Sequence, residues 1–218
     1  MIHRPRVRAA FVVAAMFALV AGACSTGASS LPTIGPSTAP TTAAAACPTS
    51  QPAPLAAGET RTVAITTSKG AITLKIEADL SPIAAGNFVA LASCGYYNGV
   101  VFHRLVPGFV IQGGDPTGTG GGGPDYTIQD EPVTATYHRG TLAMARSSAP
   151  NSQGSQFFIV LSDDAARSLA SANTYAIFGE VTAGMDTVDA IAAMPNSGEP
   201  NNAALDPVAM DSVTVATP

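Results

Sequence analysis

The sequence predicts a mainly β fold, in which short antiparallel strands close into a barrel that two α-helices cap. Short runs of alternating apolar and polar residues recur along the chain, and the two clearest helical patterns lie far apart in sequence. Helices that alternated with strands would instead indicate a parallel sheet of βαβ units. The predicted folded domain covers residues 59–218, which is enough chain for one hydrophobic core.

The first predicted elements are a hairpin and a helix. Residues 62–67 and 71–77 alternate around a Ser-Lys-Gly turn, which is typical of two paired strands. Ser81 is a suitable N-cap, Pro82 suits the first helical turn, and Gly95 is a suitable stop. We therefore expect a helix between Ser81 and Gly95.

The remaining predicted elements are short and mostly β. A short helix is expected after the acidic pair Asp163-Asp164, and the apolar spacing of residues 185–194 predicts an amphipathic helix. Further strands are predicted at residues 100–105, 109–113, 141–145, 156–161, 175–181 and 208–215.

The first 23 residues are predicted to be a secretory signal peptide. Arg4, Arg6 and Arg8 precede an apolar run of about fifteen residues, which is shorter than the roughly 20 residues that span a bilayer. We therefore expect an exported protein.

Two endings of this signal are compatible with the residues around Cys24. The sequence Ala-Gly-Ala-Cys resembles the lipobox of bacterial lipoproteins, in which Cys24 is lipidated and anchors the protein to the cell membrane. Ala21-Gly22-Ala23 also fits ordinary signal cleavage, which would release a secreted protein with a free thiol at Cys24. We favour the lipoprotein, because it explains a lone cysteine directly after the cleavage point.

Residues 24–58 are predicted to be a disordered tether. They are rich in Ala, Thr, Pro and Ser and carry no charged residue, so they bury too little apolar surface to offset their ordering entropy. With Cys24 assigned to lipid, Cys47 and Cys94 remain. We expect them to form a disulfide in an oxidising compartment, and two unrelated thiols are the alternative.

The charge balance argues against nucleic acid as a partner. After the signal is removed, seven of the ten basic residues remain against fifteen acidic residues, which gives a net charge of about −8. No run of five basic residues occurs. His3, His103 and His138 are too scattered for a metal site, and no cofactor is expected. We expect a monomer whose only membrane attachment is the lipid on Cys24.

Three polar or aromatic side chains stand out in the otherwise apolar run from Phe102 to Asp115. Arg104 and Gln112 are not needed by a purely structural strand pair, and Phe109 lies between them after a Pro-Gly break. A cation, an apolar wall and an amide on rigid strands predict a pocket for a neutral, partly apolar ligand that carries carbonyl groups.

Three blocks of the sequence resemble the signature sequences of the cyclophilins, which are peptidyl-prolyl cis/trans isomerases. They are FHRLVPGFVIQGGD from Phe102, GTLAMARSSAPNSQGSQFFIVL from Gly140 and YAIFGEVTAGMDTVDAI from Tyr175. The resemblance covers about residues 60–217 and implies an eight-stranded antiparallel β-barrel closed at each end by a helix. It also implies isomerase activity on proline-containing polypeptides, which would assist the folding of extracytoplasmic proteins.

The resemblance also implies a role for each matching residue. Arg104 corresponds to the catalytic arginine, which donates a hydrogen bond to the imide nitrogen of the twisted amide. Phe109 and Phe158 correspond to aromatic walls around the proline ring, and Gln112 corresponds to the amide beside them. The other substrate-binding residues that it implies are Val110, Gly120, Ala145, Arg146, Ser147, Gln156, Leu169 and Tyr175.

Some positions depart from the best-known pattern of the family. Val110 stands where methionine is usual, which predicts a wider and less adaptable pocket. The chain has no tryptophan, so we expect weak cyclosporin binding. His103 neighbours Arg104, but the reaction needs no acid–base step, so we expect a packed, hydrogen-bonded histidine there.

Two other functions compete with this interpretation. A weakly catalytic peptide-binding chaperone would use the same groove, and a small-molecule carrier of the lipocalin type would use an empty barrel interior. Large apolar residues such as Ile111, Phe157 and Ile159 predict instead that the interior is filled.

Overall fold

The computed structural model describes residues 46–216. The predicted signal peptide, Cys24 and the first part of the predicted tether lie outside the described residues. In the described part of the chain, none of the helices has the length and apolar character needed to cross a bilayer.

Residues 46–216 form eight strands and three helices. In chain order these are β1 (Thr60–Thr67), β2 (Gly70–Glu77), α1 (Pro82–Ser93), β3 (Val101–Val106), β4 (Val110–Asp115), β5 (Thr141–Met144), β6 (Phe157–Val160), α2 (Asp163–Ala172), β7 (Ile177–Ala183), α3 (Met185–Ala192) and β8 (Met210–Val215). The mainly β class and the eight antiparallel strands of the sequence prediction are confirmed.

The eight strands form one sheet that is an open half-barrel. Its strand order is β3-β4-β6-β5-β7-β2-β1-β8, so β3 and β8 are the edge strands. The two edges approach at one end, where Val101 is bridged to Ala209. Farther along β3, Leu105 N donates to Asn202 O and Phe102 N donates to Val208 O. The predicted closed barrel is therefore wrong, because an irregular segment before β8 takes the edge bonds of β3.

The number of helices also differs from the predicted pair of caps. Phe88 of α1 and Ile191 of α3 belong to the core on the inner face of the sheet, as expected of capping helices. The third helix, α2, begins after Ser162, whose hydroxyl oxygen accepts a bond of 3.1 Å from Ala165 N. Leu169 of α2 packs on the outer face of the sheet instead. The short helix expected near Asp163 is thus a ten-residue helix that packs on the outer face of the sheet.

The interior of the half-barrel is filled with side chains. Phe88 lies 5.2 Å from Phe157 and 5.1 Å from Phe178 between ring centroids, in the middle of this core. Other fully buried members are Ile65, Ile72, Leu74, Ile76, Leu91, Phe102, Ile111, Leu142, Met144 and Ile159. This packing agrees with the prediction of a filled interior and argues against a lipocalin-type carrier.

A second apolar cluster lies on the outer face of the same sheet. Val110, Phe158, Ala143 and Ile177 are buried there, although their neighbours along each strand face the inner core. This arrangement explains why β6 reads Phe-Phe-Ile-Val without polar interruption, since both of its faces are covered. The outer cluster is the floor on which the candidate site is built.

The segment before β1 packs against the domain, although composition assigns it to the tether. Cys47 and Cys94 form the expected disulfide. Leu55 N donates to Pro82 O at 3.0 Å, and Gly58 N donates to Asp79 Oδ1 at 2.7 Å. The tether boundary at residue 58 is therefore placed too late, because backbone contacts and a covalent bond order a segment whose own side chains bury little.

Gly86 of α1 allows this segment to approach, and its substitution tests the contact. A Cβ at Gly86 would overlap the carbonyl oxygen of Ala53. In an open helix Gly→Ala stabilises by about 1 kcal/mol, but here we expect Gly86→Ala to lower the free energy of unfolding by about 1 kcal/mol or more. Urea denaturation measures the change. Ala90→Gly in the same helix is the control for helix propensity. A Gly86→Ala protein that is more stable than the wild type would contradict the contact between Gly86 and Ala53.

Candidate functional site

The strand register places three predicted site residues in one row on the outer face of the sheet. Arg104 of β3 lies opposite Gln112 of β4, and Gln112 lies opposite Phe158 of β6. The register between β3 and β4 shifts between Phe102 and Arg104. This β-bulge lets Phe102 face the inner core while Arg104 faces outward.

A cavity of about 180 Å³ opens above this row. We call it the central cavity. Its floor is apolar and buried, since Val110, Phe158 and Leu169 are 2%, 4% and 5% exposed. Nine of the twelve predicted catalytic and substrate-binding residues line it, namely Arg104, Phe109, Val110, Gln112, Ala145, Arg146, Phe158, Leu169 and Tyr175.

The walls of the central cavity are held by contacts from outside it. The ring of Tyr175 packs edge-on against Phe158, with 5.4 Å between centroids. The carbonyl oxygen of Tyr175 accepts a bond of 2.7 Å from the buried Tyr137 hydroxyl. Phe109 follows the turn between β3 and β4, where its N–H donates to Val106 O and its carbonyl accepts from Leu161 N. These contacts fix the ring of Tyr175 and the backbone of Phe109 before any ligand enters.

The remaining three predicted residues line a neighbouring cavity. This rim cavity has a volume of about 430 Å³, and Gly120, Ser147 and Gln156 line it. It shares Gln112 and the segment at Ala145 with the central cavity. The structure therefore divides the predicted residues between two adjoining hollows of one groove.

A relay of amide side chains orients the Arg104 guanidinium. Arg104 Nη1 donates to Gln112 Oε1 at 3.3 Å, and Gln112 Nε2 donates to Gln156 Oε1 at 2.9 Å. Gln156 Nε2 in turn donates to the carbonyl oxygens of Gly120 and Gly122, at 3.0 and 2.8 Å. Each amide uses its oxygen on one side and its nitrogen on the other, so the glycine-rich loop positions the arginine indirectly.

Asp115 anchors this glycine-rich loop, and the sequence analysis gave it no role. Its carboxylate is 1% exposed and accepts backbone N–H bonds from Thr117, Thr119, Gly120 and Gly122, at 2.6 to 3.1 Å. Burial by itself raises the pKa of Asp115, but these bonds outweigh it and lower the pKa from 3.8 to about 2. An aspartate directly before a glycine-rich loop was the available signal.

Arg146 joins the walls of the two cavities through its guanidinium. Nη2 lies 3.1 Å from Asp130 Oδ2 and donates to Ala149 O at 2.9 Å, while Nη1 donates to Thr174 O at 3.4 Å. Asp130 also accepts bonds from Asn151 N and Gln153 Nε2. The sequence analysis assigned Arg146 to substrate binding but missed Asp130, because the pair is sixteen residues apart and no motif contains both.

His103 is buried beside Arg104 but takes no part in the relay. It is 7% exposed, and burial lowers its pKa below 6.5. Within residues 46–216, no group of three His, Cys, Asp or Glu side chains is arranged to hold a metal ion. The groove therefore offers a permanent cation, an apolar cavity and oriented amides, which suit a neutral peptide group rather than an acid–base reaction.

The sequence matches known proteins over the part that builds this groove. The family model described as cyclophilin type peptidyl-prolyl cis-trans isomerase matches residues 62–215. A peptidyl-prolyl cis-trans isomerase-like 3 protein of Dictyostelium discoideum is 39% identical over 159 residues, which cover 71% of this chain and 94% of that protein. A putative bifunctional phosphatase/peptidyl-prolyl cis-trans isomerase of Streptococcus pyogenes is 49% identical over 102 residues, which cover 45% of this chain and 22% of that protein.

Solved structures agree with the fold. A crystal structure of a Cryptosporidium parvum cyclophilin type peptidyl-prolyl cis-trans isomerase superposes with a TM-score of 0.65 at 33% identity, covering 73% of this chain and 99% of that chain. A structure of the same protein in the presence of the dipeptide Ala-Pro has a TM-score of 0.64 at 35% identity, covering 72% of this chain and 99% of that chain.

The pKa of Asp115 predicts how acid affects stability. A carboxylate whose pKa is lowered on folding contributes stability that is present above about pH 4 and is lost as the pH falls towards 2. We expect Asp115→Asn to lower the free energy of unfolding at pH 7 by about 2 kcal/mol and to flatten its dependence between pH 4 and 2. Denaturant titrations at several pH values measure both, with Asp125→Asn as the control. An unchanged acid dependence in Asp115→Asn would contradict this role.

Proposed function

The chain belongs to the cyclophilin-type peptidyl-prolyl cis-trans isomerase family, and on that premise we propose that it accelerates rotation about X–Pro bonds in extracytoplasmic proteins and so assists their folding. The observation that carries the proposal is the position of Arg104 on the wall of an apolar cavity that suits a proline ring. Uncatalysed rotation crosses a barrier of about 20 kcal/mol and takes tens of seconds.

The central cavity would hold the proline ring and leave the peptide bond at its rim. Phe109, Val110, Phe158 and Leu169 give this cavity an apolar floor and wall, and Arg104 and Arg146 also line it. Burial of the proline ring holds the proline side of the X–Pro bond in place. Rotation about that bond therefore moves the residue before the proline. Residues 145–147 continue beyond the end of β5 along both cavities, where an extended peptide can pair with the backbone.

Arg104 would supply the preference for the twisted amide. When conjugation is broken, the imide nitrogen becomes pyramidal and can accept a hydrogen bond that the planar amide cannot. The guanidinium has five N–H donors and keeps its charge, and its bond to Gln112 uses one of them. A donor that is already oriented needs little reorganisation, so the twisted state gains more than the planar state.

Two features support an extracytoplasmic role. The N-terminal sequence combines three arginines, an apolar run and small residues before Cys24, as in exported proteins. The Cys47–Cys94 disulfide is typical of oxidising compartments and rare in the cytosol. In this proposal the lipid on Cys24 anchors the domain outside the cytoplasm, and its substrates are the proline-containing polypeptides found there.

Replacement of Arg104 tests the catalytic proposal. We expect Arg104→Ala to lower kcat/KM for a proline tetrapeptide by about a hundredfold, with KM nearly unchanged because the apolar cavity remains. Nuclear magnetic resonance exchange measurements give the rate without a coupled protease. Arg167→Ala, which removes an exposed arginine of α2, is the matched control. If the wild type only matches the uncatalysed rate but still binds the peptide, the protein is a peptide-binding chaperone instead.

Replacement of Cys24 tests the anchoring proposal. We expect wild-type protein in a bacterial host to incorporate a radioactive fatty acid and to fractionate with membranes, and Cys24→Ala to do neither. Cys94→Ala is the control, because it also removes a cysteine, in this case one partner of the Cys47–Cys94 disulfide, but leaves the lipobox unchanged. A wild-type protein that is secreted without label would show ordinary signal cleavage.

A further inference from the structure

The Ser162 hydroxyl joins two parts of the protein that build the central cavity. It is the N-cap of α2, where it accepts the bond from Ala165 N, and it also donates to Gly108 O at 2.7 Å. A hydroxyl has one proton to donate and lone pairs to accept, so it can form both bonds at once. Gly108 lies in the turn between β3 and β4, 54 residues earlier in the chain.

Each of the two joined parts carries one apolar side of the central cavity. Leu169 of α2 belongs to the floor, and Phe109, which directly follows Gly108, forms a wall. The distance between this wall and this floor therefore depends on how the turn is held against the start of α2.

The turn has little packing of its own to hold it. Pro107 and Gly108 are exposed, and a Cβ on Gly108 would meet no atom within 4 Å beyond its chain neighbours. Phe109 N donates to Val106 O, and the φ of Gly108 is +71°, which is typical of a type II turn after proline. That internal bond leaves the carbonyl oxygen of Gly108 available to Ser162. Because Phe109 is only half-buried, the bonds to this turn largely decide where its ring lies.

The segment that holds the turn is itself anchored on its other side. Leu161 N donates to Phe109 O at 2.9 Å, so two consecutive residues hold two consecutive carbonyls of the turn. Leu161 O accepts a bond of 2.5 Å from Arg139 Nη1. The same guanidinium donates to both carboxylate oxygens of Asp189 in α3, at 3.0 and 2.6 Å. The Ser162 hydroxyl thus projects from a fixed support.

We propose that Ser162 is a positioning residue of the central cavity, and that its bond to Gly108 holds the Phe109 wall at the distance from the α2 floor that encloses a proline ring. This inference rests on the proposed function, in which the central cavity takes that ring. Ser162 does not line the cavity, so it acts through Phe109 and not by contact with the substrate.

The bond to Gly108 should act on substrate binding more than on rotation. Without it the wall can move away from the floor, and the free energy that returns the wall must come from the ligand. The proline ring is enclosed alike in the planar and the twisted state. Loss of the bond therefore raises KM and leaves kcat nearly unchanged. Arg104→Ala is expected to do the opposite, because the guanidinium favours the twisted state alone.

Three replacements of Ser162 separate the bond to the turn from the helix cap. Ser162→Ala removes both bonds. Ser162→Asp keeps an N-cap acceptor but has no proton for Gly108 O, and Ser162→Thr keeps a hydroxyl for both. With an Ala-Ala-Pro-Ala amide, we expect the Ala and Asp variants to raise KM and the Kd from nuclear magnetic resonance titration. The expected rise is about two- to tenfold, the worth of one neutral hydrogen bond. The Thr variant should bind like the wild type.

Amide hydrogen exchange shows which bond each variant has lost. The N–H of Ala165 should exchange faster in Ser162→Ala only, whereas the N–H of Phe109 should exchange faster in both Ser162→Ala and Ser162→Asp. Ser171→Ala is the matched control, because it removes an exposed hydroxyl that donates to Ser168 O within α2, at 2.7 Å. It should leave Kd, KM and the exchange of both amides unchanged.

The outcomes separate this inference from the proposed function. If Ser162→Ala and Ser162→Asp bind the peptide as tightly as the wild type, the inference is overturned. It is also overturned if Ser162→Asp binds like the wild type and only Ser162→Ala is weakened, because the cap then carries the effect. A wild type that binds the peptide without accelerating its rotation refutes the proposed isomerase function, and the Kd values of the variants still decide the inference. A wild type that binds no proline peptide refutes both.

Discussion

The β-bulge at His103 is the constraint on which the candidate site depends. Phe102 and Leu105 both belong to the inner core although they are three residues apart, which simple alternation along a strand forbids. The register shift between Phe102 and Arg104 absorbs the extra residue. As a result Arg104 faces outward, in line with Gln112, and the fully buried neighbours keep this alignment because a slip would expose them.

The row formed by Arg104, Gln112 and Phe158 is also held in place by a buried carboxylate that lies outside the row. Asp115 is buried at the end of β4 and gathers the amides of the loop that follows. The carbonyls of that loop hold Gln156, which holds Gln112, which holds the guanidinium. A catalytic group that acts by preferential binding benefits from such fixation, because its donors do not have to reorganise as the amide twists.

Apolar side chains cover both faces of the sheet, and they have a different role on each face. Phe157 packs in the inner core with the rings of α1, whereas Phe158, the next residue, lies on the outer floor of the central cavity. Helix α2 covers part of that floor and leaves the rest open. The protein thus combines a filled interior with an apolar outer surface that a proline ring can occupy. Helix α2 covers one part of that outer surface, and the part beside α2 forms the floor of the central cavity.

Local residue patterns were sufficient to predict most of the strands and helices, because alternation and helix-end signals are properties of short segments. Arg104, Phe109 and Gln112 stood out in the same way, whereas the other groove residues were predicted from the resemblance of three sequence blocks to the cyclophilins. All twelve predicted site residues lie in two adjoining cavities. Tertiary structure alone decided that the half-barrel stays open, that residues 46–58 pack on α1, and that Asp115 and Asp130 support the site. These features depend on the pairing of edge strands, on a register shift, and on hydrogen bonds and ion pairs between groups that are far apart in the chain. A pattern within a short segment therefore does not encode them.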